Sequence, residues 1–318
     1  MKDLLRIAQL SPQDLELLLE LSEAIHADPH LHAGLLEGDT VITYFAKPST
    51  RTRLSFGSAI THLGATPEVV GPAELQLGRG ETIEDTARVI SRYARAFVIR
   101  TFADEDVERF AAAASIPVIN ALTDGHHPCQ ALADLLTLRQ HFGDLAGLKV
   151  AYLGDGNNVA HSLMEACALA GINIIVATPP GYQVARDVLA TAEAIAERRR
   201  SVVLETIDPL RAVAGADAVY TDVWVSMGDD EGTRATRAHD LEPYQVNEAV
   251  MAEASPEAVF MHCLPAHRGE EVTGAVIDGR QSVVLDEAEN RMHTAQALLV
   301  ALVTGRLVGS GAVIAGAR

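Results

Sequence analysis

The sequence predicts an α/β protein of two domains, each built on a parallel-type sheet flanked by helices, with a C-terminal helix that packs back across the domains. Short runs rich in β-forming residues alternate with longer segments of helical periodicity, which is typical of parallel α/β folds. A chain of 318 residues, 48% of them apolar, is large enough for two hydrophobic cores. It contains no internal repeat and no low-complexity linker, as expected of a multi-domain globular protein.

The first half opens with a capped helix. Ser11 suits the N-cap, Pro12 the first helical position and Asp14 the first turn. Apolar residues then recur at helical spacing, namely Leu15, Leu18, Leu19 and Ile25. The predicted strands of this half, each followed by a helix, are "TVITYFA", "TPEVVG", "AFVIR" and "IPVINAL".

The second half repeats the alternation after a boundary predicted near residues 140 to 148, where "HFGDLAGLK" ends a helix and leads into a buried strand. Its predicted strands are "GLKVAYLG", "INIIVATP", "SVVLETI", "AVYTDVWV", "AVFMHCLP" and "SVVLD". A last helical run, "EAENRMHTAQALLVALV", follows them. We therefore expect segments 1–145 and 146–290 to form the two domains, and 291–318 to return to the first.

Composition and charge exclude several classes of function. The net charge of −18 opposes binding to nucleic acid or to an anionic membrane surface. The N-terminus is charged from Lys2 and has no apolar core of a signal peptide, and no run reaches the roughly 18 apolar residues of a membrane span. Three cysteines without CxxC spacing suggest neither disulfides nor a thiolate metal site. We expect a cytoplasmic protein with reduced thiols.

Polar residues stand at the carboxyl ends of the predicted strands, where ligands bind in open α/β sheets. They are Ser49 to Arg53, Arg100, His127 to Gln130, Asn157, Asn158, Asp222 and Cys263. If the two domains present these ends to one cleft, the residues form a single site.

The stretch "FAKPSTRTRLSFGSAI" predicts an anion site. A helix that begins at Ser49 or Thr50 directs its first N–H groups and the positive end of its dipole at the ligand. The hydroxyls of Ser49, Thr50 and Thr52 add donors, and the guanidinium of Arg51 can bind a phosphate through two hydrogen bonds. Arg53 cannot face the same way as Arg51 on a helix. An ordinary N-cap followed by two solvated arginines is the alternative.

Six motifs, "STRTR", "HPCQALAD", "DGNN", "DVWVSMG", "HCLP" and "DEAENRMH", occur in the order found in the aspartate/ornithine carbamoyltransferase family, which the chain resembles over nearly its whole length. "STRTR" marks the half shared by the family, whereas "DVWVSMG" and "HCLP" resemble its ornithine branch. The resemblance implies transfer of a carbamoyl group from carbamoyl phosphate to the side-chain amine of L-ornithine, giving L-citrulline and phosphate, as in arginine biosynthesis or a urea-cycle-type step. It also implies a trimer or a multiple of trimers.

The resemblance further implies which residues bind each substrate. The phosphate would contact Ser49, Thr50, Arg51, Thr52 and Arg291, together with Gln76 from the neighbouring subunit. The carbamoyl group would contact Arg100, His127, Gln130 and the backbone of Leu264. The α-amino and α-carboxylate groups of ornithine would contact Asn158, Asp222, Ser226 and Met227, with Cys263 beside the attacking amine. Catalytic roles would belong to Arg100, His127, Asp222 and Cys263.

The chemistry of these residues agrees with the implied reaction. Attack of a neutral amine on the carbamoyl carbon builds negative charge on the carbonyl oxygen, which fixed donors such as Arg100, Thr52 and His127 would stabilise. Positioning the amine adds an entropic advantage. No metal and no organic cofactor is needed for either effect.

Each candidate also fits a simpler role. Asp222 suits a cap of the following loop, Cys263 a small buried hydrophobe, and Arg291 a surface ion pair with Glu287. The segment "DDEGTRATRAH", residues 229 to 239, is expected to be a flexible loop closing over ornithine, with hinges at Gly228 and Gly232.

The same motifs are compatible with other functions to different degrees. "YLGDGNNVAHS" resembles a dinucleotide fingerprint, but Val159 replaces the third glycine and no acidic residue ends the next strand, which argues against an NAD enzyme. A carbamoyltransferase acting on N-acetylornithine or putrescine, or an inactive member serving as a binding subunit, stays open.

Overall fold

The computed structural model describes residues 1–75, 80–225 and 231–310, and only the backbone of residues 231–233. The chain forms two compact units. Unit 1 comprises Met1–Leu136 with Glu289–Arg318, and unit 2 comprises Thr137–Ala288. The predicted boundaries, with 1–145 for carbamoyl phosphate, 146–290 for ornithine and 291–318 for the returning segment, stay predictions.

Unit 1 contains a parallel sheet in the order β2-β1-β3-β4. Its elements are α1 (Pro12–Ala27), β1 (Thr40–Phe45), α2 (Thr50–His62), β2 (Thr66–Val70), α3 (Ile83–Ile90), β3 (Ala96–Arg100), α4 (Asp104–Ala113), β4 (Val118–Leu122) and the start of α5 (Pro128–Phe142). Phe97 of β3 stacks on Phe110 of α4 with ring centroids 4.2 Å apart, and both are buried. This contact packs α4 against β3, the strand that ends at Arg100.

Unit 2 contains a second parallel sheet, in the order β7-β6-β5-β8-β9. Its elements are β5 (Lys149–Leu153), α6 (Asn158–Ala170), β6 (Asn173–Ala177), α7 (Arg186–Arg199), β7 (Val203–Thr206), α8 (Pro209–Val213), β8 (Ala218–Thr221), α9 (Glu231–Leu241), α10 (Glu248–Glu253), β9 (Val259–Met261), α11 (Gly274–Ile277) and the start of α12 (Val284–Val303). The order reverses between β5 and β8, which is the type of position where α/β sheets bind ligands.

The predicted α/β fold class is confirmed, including the capped first helix. Ser11 accepts from Asp14 N at 3.1 Å, and the Asp14 carboxylate accepts from Ser11 N at 2.9 Å, so the two residues form a reciprocal capping box. The last helix, α12, begins in unit 2, and from Glu289 onward it belongs to unit 1. The C-terminal helix therefore returns to the N-terminal part of the chain, as predicted.

One predicted strand is wrong. In "SVVLD", Ser282 makes a single bridge with Phe260, and α12 already begins at Val284. The amide of Glu287 donates to Val283 O at 3.0 Å, which closes the first helical turn. Short β-branched apolar runs do not distinguish a strand from a buried helix start, and here Val283 and Val284 are buried at the start of the helix.

The helices of residues 1–75, 80–225 and 231–310 include none with both the length and the apolar character that crossing a lipid bilayer requires.

Candidate functional site

The N-terminus of α2 carries the predicted anion cluster. Ser49 is the N-cap, and its hydroxyl accepts from Thr52 N at 3.3 Å, so the predicted start of the helix is confirmed. The first side chains of the helix differ in exposure: Arg51 is half-buried, Thr52 is buried and Arg53 is exposed. The two arginines therefore differ as expected, and Arg51 lies on the more enclosed side. Thr50 is exposed at the first helical position.

Arg291 of α12 connects three of the predicted residues inside unit 1. Its Nη1 donates to Gln130 Oε1 at 2.5 Å, and its Nη2 donates to Thr52 Oγ1 at 3.1 Å. Gln130 Nε2 in turn donates to Asp134 Oδ1 at 2.9 Å. Arg291 is only 3% exposed and Glu287 is fully buried, so the two do not form the surface ion pair considered above. Asp134, four residues after Gln130 on α5, was not among the predicted residues.

His127 lies in the electrostatic field of two predicted cations. Burial lowers its pKa well below the ordinary value, and the charges of Arg291 and Arg100 lower it further. The imidazole is therefore neutral near pH 7, the form that donates a hydrogen bond without adding charge. β3 ends at Arg100, and α5 begins at Pro128, immediately after His127.

The neutral state of His127 predicts a pH dependence of stability. The unfolded chain binds a proton at this ring near pH 6.5, whereas the folded protein excludes it until a lower pH. The free energy of unfolding should therefore fall as pH drops below about 6.5, and less steeply in His127→Gln than in the parent protein. Urea unfolding at several pH values measures both slopes, and equal slopes would contradict this account of His127.

In unit 2, Asp222 lies at the end of β8 and joins two further polar side chains. Its Oδ2 accepts from Asn157 Nδ2 at 2.8 Å, and its Oδ1 accepts from Cys263 Sγ at 3.0 Å. Oδ1 also accepts from Val223 N at 2.8 Å, so the carboxylate does cap its own loop. β8 ends at Thr221, and the predicted strand "AVYTDVWV" is therefore too long at its C-terminal end.

Asn157 was recognised at a strand end but not predicted to belong to the site. It is the N-cap of α6: its Oδ1 accepts from Val159 N at 2.9 Å and Ala160 N at 3.2 Å, while its amide donates to Asp222. The same side chain thus starts the helix and orients the carboxylate. The predicted Asn158 is the first residue of α6 and is half-buried.

Two substitutions at Asn157 separate these roles. Asn157→Ser keeps a capping oxygen but loses the amide that donates to Asp222, whereas Asn157→Ala loses both. If Asp222 binds the amine substrate that the family resemblance implies, both variants should lose activity, and only Asn157→Ala should lose roughly 1 kcal/mol in unfolding free energy. Urea unfolding and steady-state kinetics test the pair. Equal destabilisation by serine and alanine would exclude the capping role.

The glycines of "GDGNN" serve the packing of the protein itself. Gly156 N donates to Tyr182 O at 2.8 Å, and a Cβ at this position would lie 2.4 Å from Val184 N. Glycine is required here because the chain around Val184 approaches the loop this closely. The close approach of the chain therefore accounts for Gly156 in the pattern that resembles a dinucleotide fingerprint, and no bound nucleotide is needed to explain this glycine.

The "HCLP" segment after β9 is anchored by two fully buried carboxylates, Glu271 and Glu287. His262 N donates to Glu287 Oε2 at 3.0 Å, and the ring Nδ1 accepts from Leu264 N at 2.8 Å. In the neutral ring this acceptor role leaves the hydrogen on Nε2, which is 3.2 Å from Glu271 Oε1. Leu264 has a φ of 56°. Sequence reasoning gave no role in the site to His262 or to either glutamate, although His262 and Glu287 stand within quoted motifs.

Residues from Glu231 onward form α9, so the prediction of a flexible loop over residues 229 to 239 is wrong for its described part. Arg237 holds this helix in place. Its Nε donates to Trp224 O at 2.6 Å, its Nη2 pairs with Asp155, and its guanidinium lies 5.1 Å from the Tyr182 ring centroid. A charged segment with a single glycine, Gly232, is compatible with a helix once one of its arginines gains such partners.

Four of the predicted positions, Gln76, Ser226, Met227 and the hinge Gly228, lie outside the described residues. For a metal, Asp222, His262 and Cys263 each offer one ligand atom within 4.8 Å of the others.

Unit 1 contains the cluster around Arg291 and unit 2 contains the cluster around Asp222, and comparison with known proteins defines the family of the chain. The family model of the carbamoyl-P binding domain of aspartate/ornithine carbamoyltransferases matches residues 2–140, and that of the Asp/Orn binding domain matches residues 146–302. The chain belongs to the aspartate/ornithine carbamoyltransferase family.

Individual relatives are similar to the chain over most of its length. The chain is 56% identical over 276 residues to the ornithine carbamoyltransferase of Parafrankia sp. (strain EAN1pec), covering 87% of each. It is 49% identical to that of Bacillus subtilis (strain 168), covering 95% of this chain and 93% of the relative. Its fold is similar to the ornithine carbamoyltransferase structure from Pyrococcus furiosus, with a TM-score of 0.92, 46% identity and coverage of 96% and 97%.

Proposed function

We propose that this protein transfers the carbamoyl group of carbamoyl phosphate to the side-chain amine of L-ornithine, releasing L-citrulline and phosphate. The observation that carries the choice of acceptor is the Asp222 carboxylate, oriented by Asn157 and adjacent to Cys263. An α-ammonium group needs an anionic partner of this kind. Relatives covering most of the chain carry the name ornithine carbamoyltransferase, which supports the same substrate.

The phosphate of carbamoyl phosphate is proposed to bind at the N-terminus of α2. Backbone N–H groups and the helix dipole favour a dianion there, and Ser49, Thr50 and Thr52 add hydroxyl donors. Arg51 supplies a guanidinium that is half-buried. Arg291 adds a second cation, since its hydrogen bond to Thr52 places it beside the cluster.

The carbamoyl group is proposed to be polarised by Arg100, His127 and Thr52. During attack the carbonyl oxygen gains negative charge, and donors fixed before the reaction stabilise it without reorganising. A neutral His127 would donate a hydrogen bond to the carbonyl oxygen, while the positive charge of the site would come from Arg100 and Arg291. Loss of one such donor typically costs about 10²- to 10³-fold in rate. The roles predicted for Gln130 and for the Leu264 backbone stay predictions.

In unit 2, Asp222 is proposed to accept the α-ammonium of ornithine, with Asn158, Ser226 and Met227 around the α-carboxylate and Cys263 beside the amine. The attacking amine must lose its proton first. By analogy with lysine its pKa in solution is near ~10.4, so the rate should rise towards alkaline pH.

An amine panel tests the proposal. Purified protein is mixed with carbamoyl phosphate and with ornithine, N-acetylornithine, putrescine, lysine or aspartate, and phosphate release and the carbamoylated product are both measured. We expect ornithine to give the highest kcat/KM. A higher value for N-acetylornithine, putrescine or aspartate would overturn the choice of acceptor, and no turnover with any amine would favour an inactive binding subunit.

We also propose a cytoplasmic trimer, or a multiple of trimers, in which Gln76 reaches the phosphate site of a neighbouring subunit. Mixing inactive Gln76→Ala with inactive Arg51→Ala and exchanging subunits should then restore part of the activity, because some hybrid sites receive both intact residues. Sedimentation velocity verifies the oligomer and the exchange. Exchange without recovery would argue that each subunit builds its phosphate site alone.

A further inference from the structure

We propose that His26, Glu289 and His293 form a binding site for a divalent transition-metal ion of the zinc type, separate from the catalytic residues. His26 lies in the last turn of α1, and the other two lie on α12. Each residue offers one ligand atom, and these atoms lie within 4.8 Å of one another. All three belong to unit 1. The inference does not depend on the proposed function.

The spacing on α12 places two ligands on one helical face. Glu289 and His293 are four residues apart, so they are neighbours on successive turns. Arg291, midway between them, points about 200° around the helix from each, by the 3.6-residue turn. The metal face is thus opposite the face that contributes Arg291 to Thr52 and Gln130.

The distance between the two side chains fits shared coordination better than direct pairing. His293 Nε2 and Glu289 Oε1 are 3.5 Å apart, which is long for a charge-assisted hydrogen bond. Two ligands of one tetrahedral zinc ion with bonds of about 2.0 to 2.1 Å are about 3.3 Å apart. The His26 ring centroid lies 4.7 Å from that of His293, and the two ring planes are nearly perpendicular at 83°.

The ring of His293 directs Nε2 towards Glu289. It is 2% exposed, yet among the protein groups of residues 1–75, 80–225 and 231–310 its Nδ1 has no hydrogen-bond partner.

The set of donors indicates the class of metal. Two imidazoles and one carboxylate suit Zn²⁺ and also Co²⁺ or Ni²⁺, whereas Mg²⁺ and Ca²⁺ prefer sites built from oxygen ligands. Glu289 and His26 are exposed, so an ion reaches the site from solvent without unfolding. Gln296 Nε2 donates to Pro29 O at 2.9 Å, which ties the chain after α1 to α12 and keeps His26 beside His293.

Zinc titration of tag-free protein tests the site by calorimetry. Cys263→Ser serves as the parent, because Asp222, His262 and Cys263 form a competing group. We expect His26→Gln and Glu289→Gln to weaken binding by at least about 10-fold, the lower end of the loss for an outer-shell partner. Both residues are exposed, so the variants should fold. His141→Gln is the matched control, since His141 Nε2 lies 3.3 Å from Asp286 Oδ2 in unit 2 and neither residue belongs to the proposed set of ligands.

Two further readouts identify the ligands. Co²⁺ in place of Zn²⁺ should give visible absorption without a thiolate charge-transfer band, and this absorption should be lost in His26→Gln. Zinc should raise the Tm of the parent and of His141→Gln but not of the two site variants. Zinc binding and Tm shifts in His26→Gln and Glu289→Gln that equal those of the parent would overturn the proposal.

Discussion

Arg51→Ala should lower kcat/KM for carbamoyl phosphate by roughly 10²- to 10⁴-fold, because it removes two charge-assisted hydrogen bonds worth about 1.5–3 kcal/mol each. The α2 N-terminus keeps its backbone donors and its Ser49 cap, so the fold should be retained. Binding of an ornithine analogue should change far less, since its proposed ligands are in unit 2. Calorimetry with each ligand and steady-state kinetics measure the difference.

Arg53→Ala is the matched control for this experiment. Arg53 stands two residues further along the same helix and is exposed, so its removal changes the net charge by the same amount without touching the proposed phosphate site. We expect less than about a threefold change, the scale of exposed charges. If both variants weakened carbamoyl phosphate binding equally, long-range charge and not direct contact would explain the effect.

Asp222→Asn should lower kcat/KM for ornithine by roughly 30- to 5,000-fold, corresponding to the loss of about 2–5 kcal/mol when one partner of a buried charge pair is removed. Asparagine has the same shape and still accepts from Val223 N, but its amide nitrogen cannot accept from Asn157 Nδ2. The variant therefore loses the charge and this one hydrogen bond. Carbamoyl phosphate affinity should be retained.

The readout specific to Asp222 is substrate choice. N-acetylornithine has no α-ammonium group, so its reaction should respond little to Asp222→Asn, and the preference for ornithine over it should shrink. The ratio of kcat/KM for ornithine to kcat/KM for N-acetylornithine, measured in the parent protein and in Asp222→Asn, tests this expectation. A variant with the preference of the parent protein would show that Asp222 does not bind the ammonium group, even if its overall rate were low.

Sequence periodicity and local chemistry predicted the α/β class and the starts of individual helices. Ser11 was identified as an N-cap and a helix was predicted to begin at Ser49 or Thr50, because a helix start depends on residues only three positions away. The sequence patterns predicted secondary structure least well where the same residues suit two kinds of element. "SVVLD" leads into α12 instead of forming a strand. The charged segment after Asp230 forms α9, in which Arg237 pairs with Asp155 and donates to Trp224 O.

The sequence by itself determined which residue types stand at the strand ends, including Arg100, Asp222 and Cys263, and so which chemistry is available. Only the tertiary structure decided their partners. Arg291 joins Thr52 across 239 positions of sequence, and Asn157 joins Asp222 across 65. The physical reason is that a cap or a strand depends on near neighbours, whereas a buried charge takes its hydrogen bonds from whichever polar groups the folded chain places beside it.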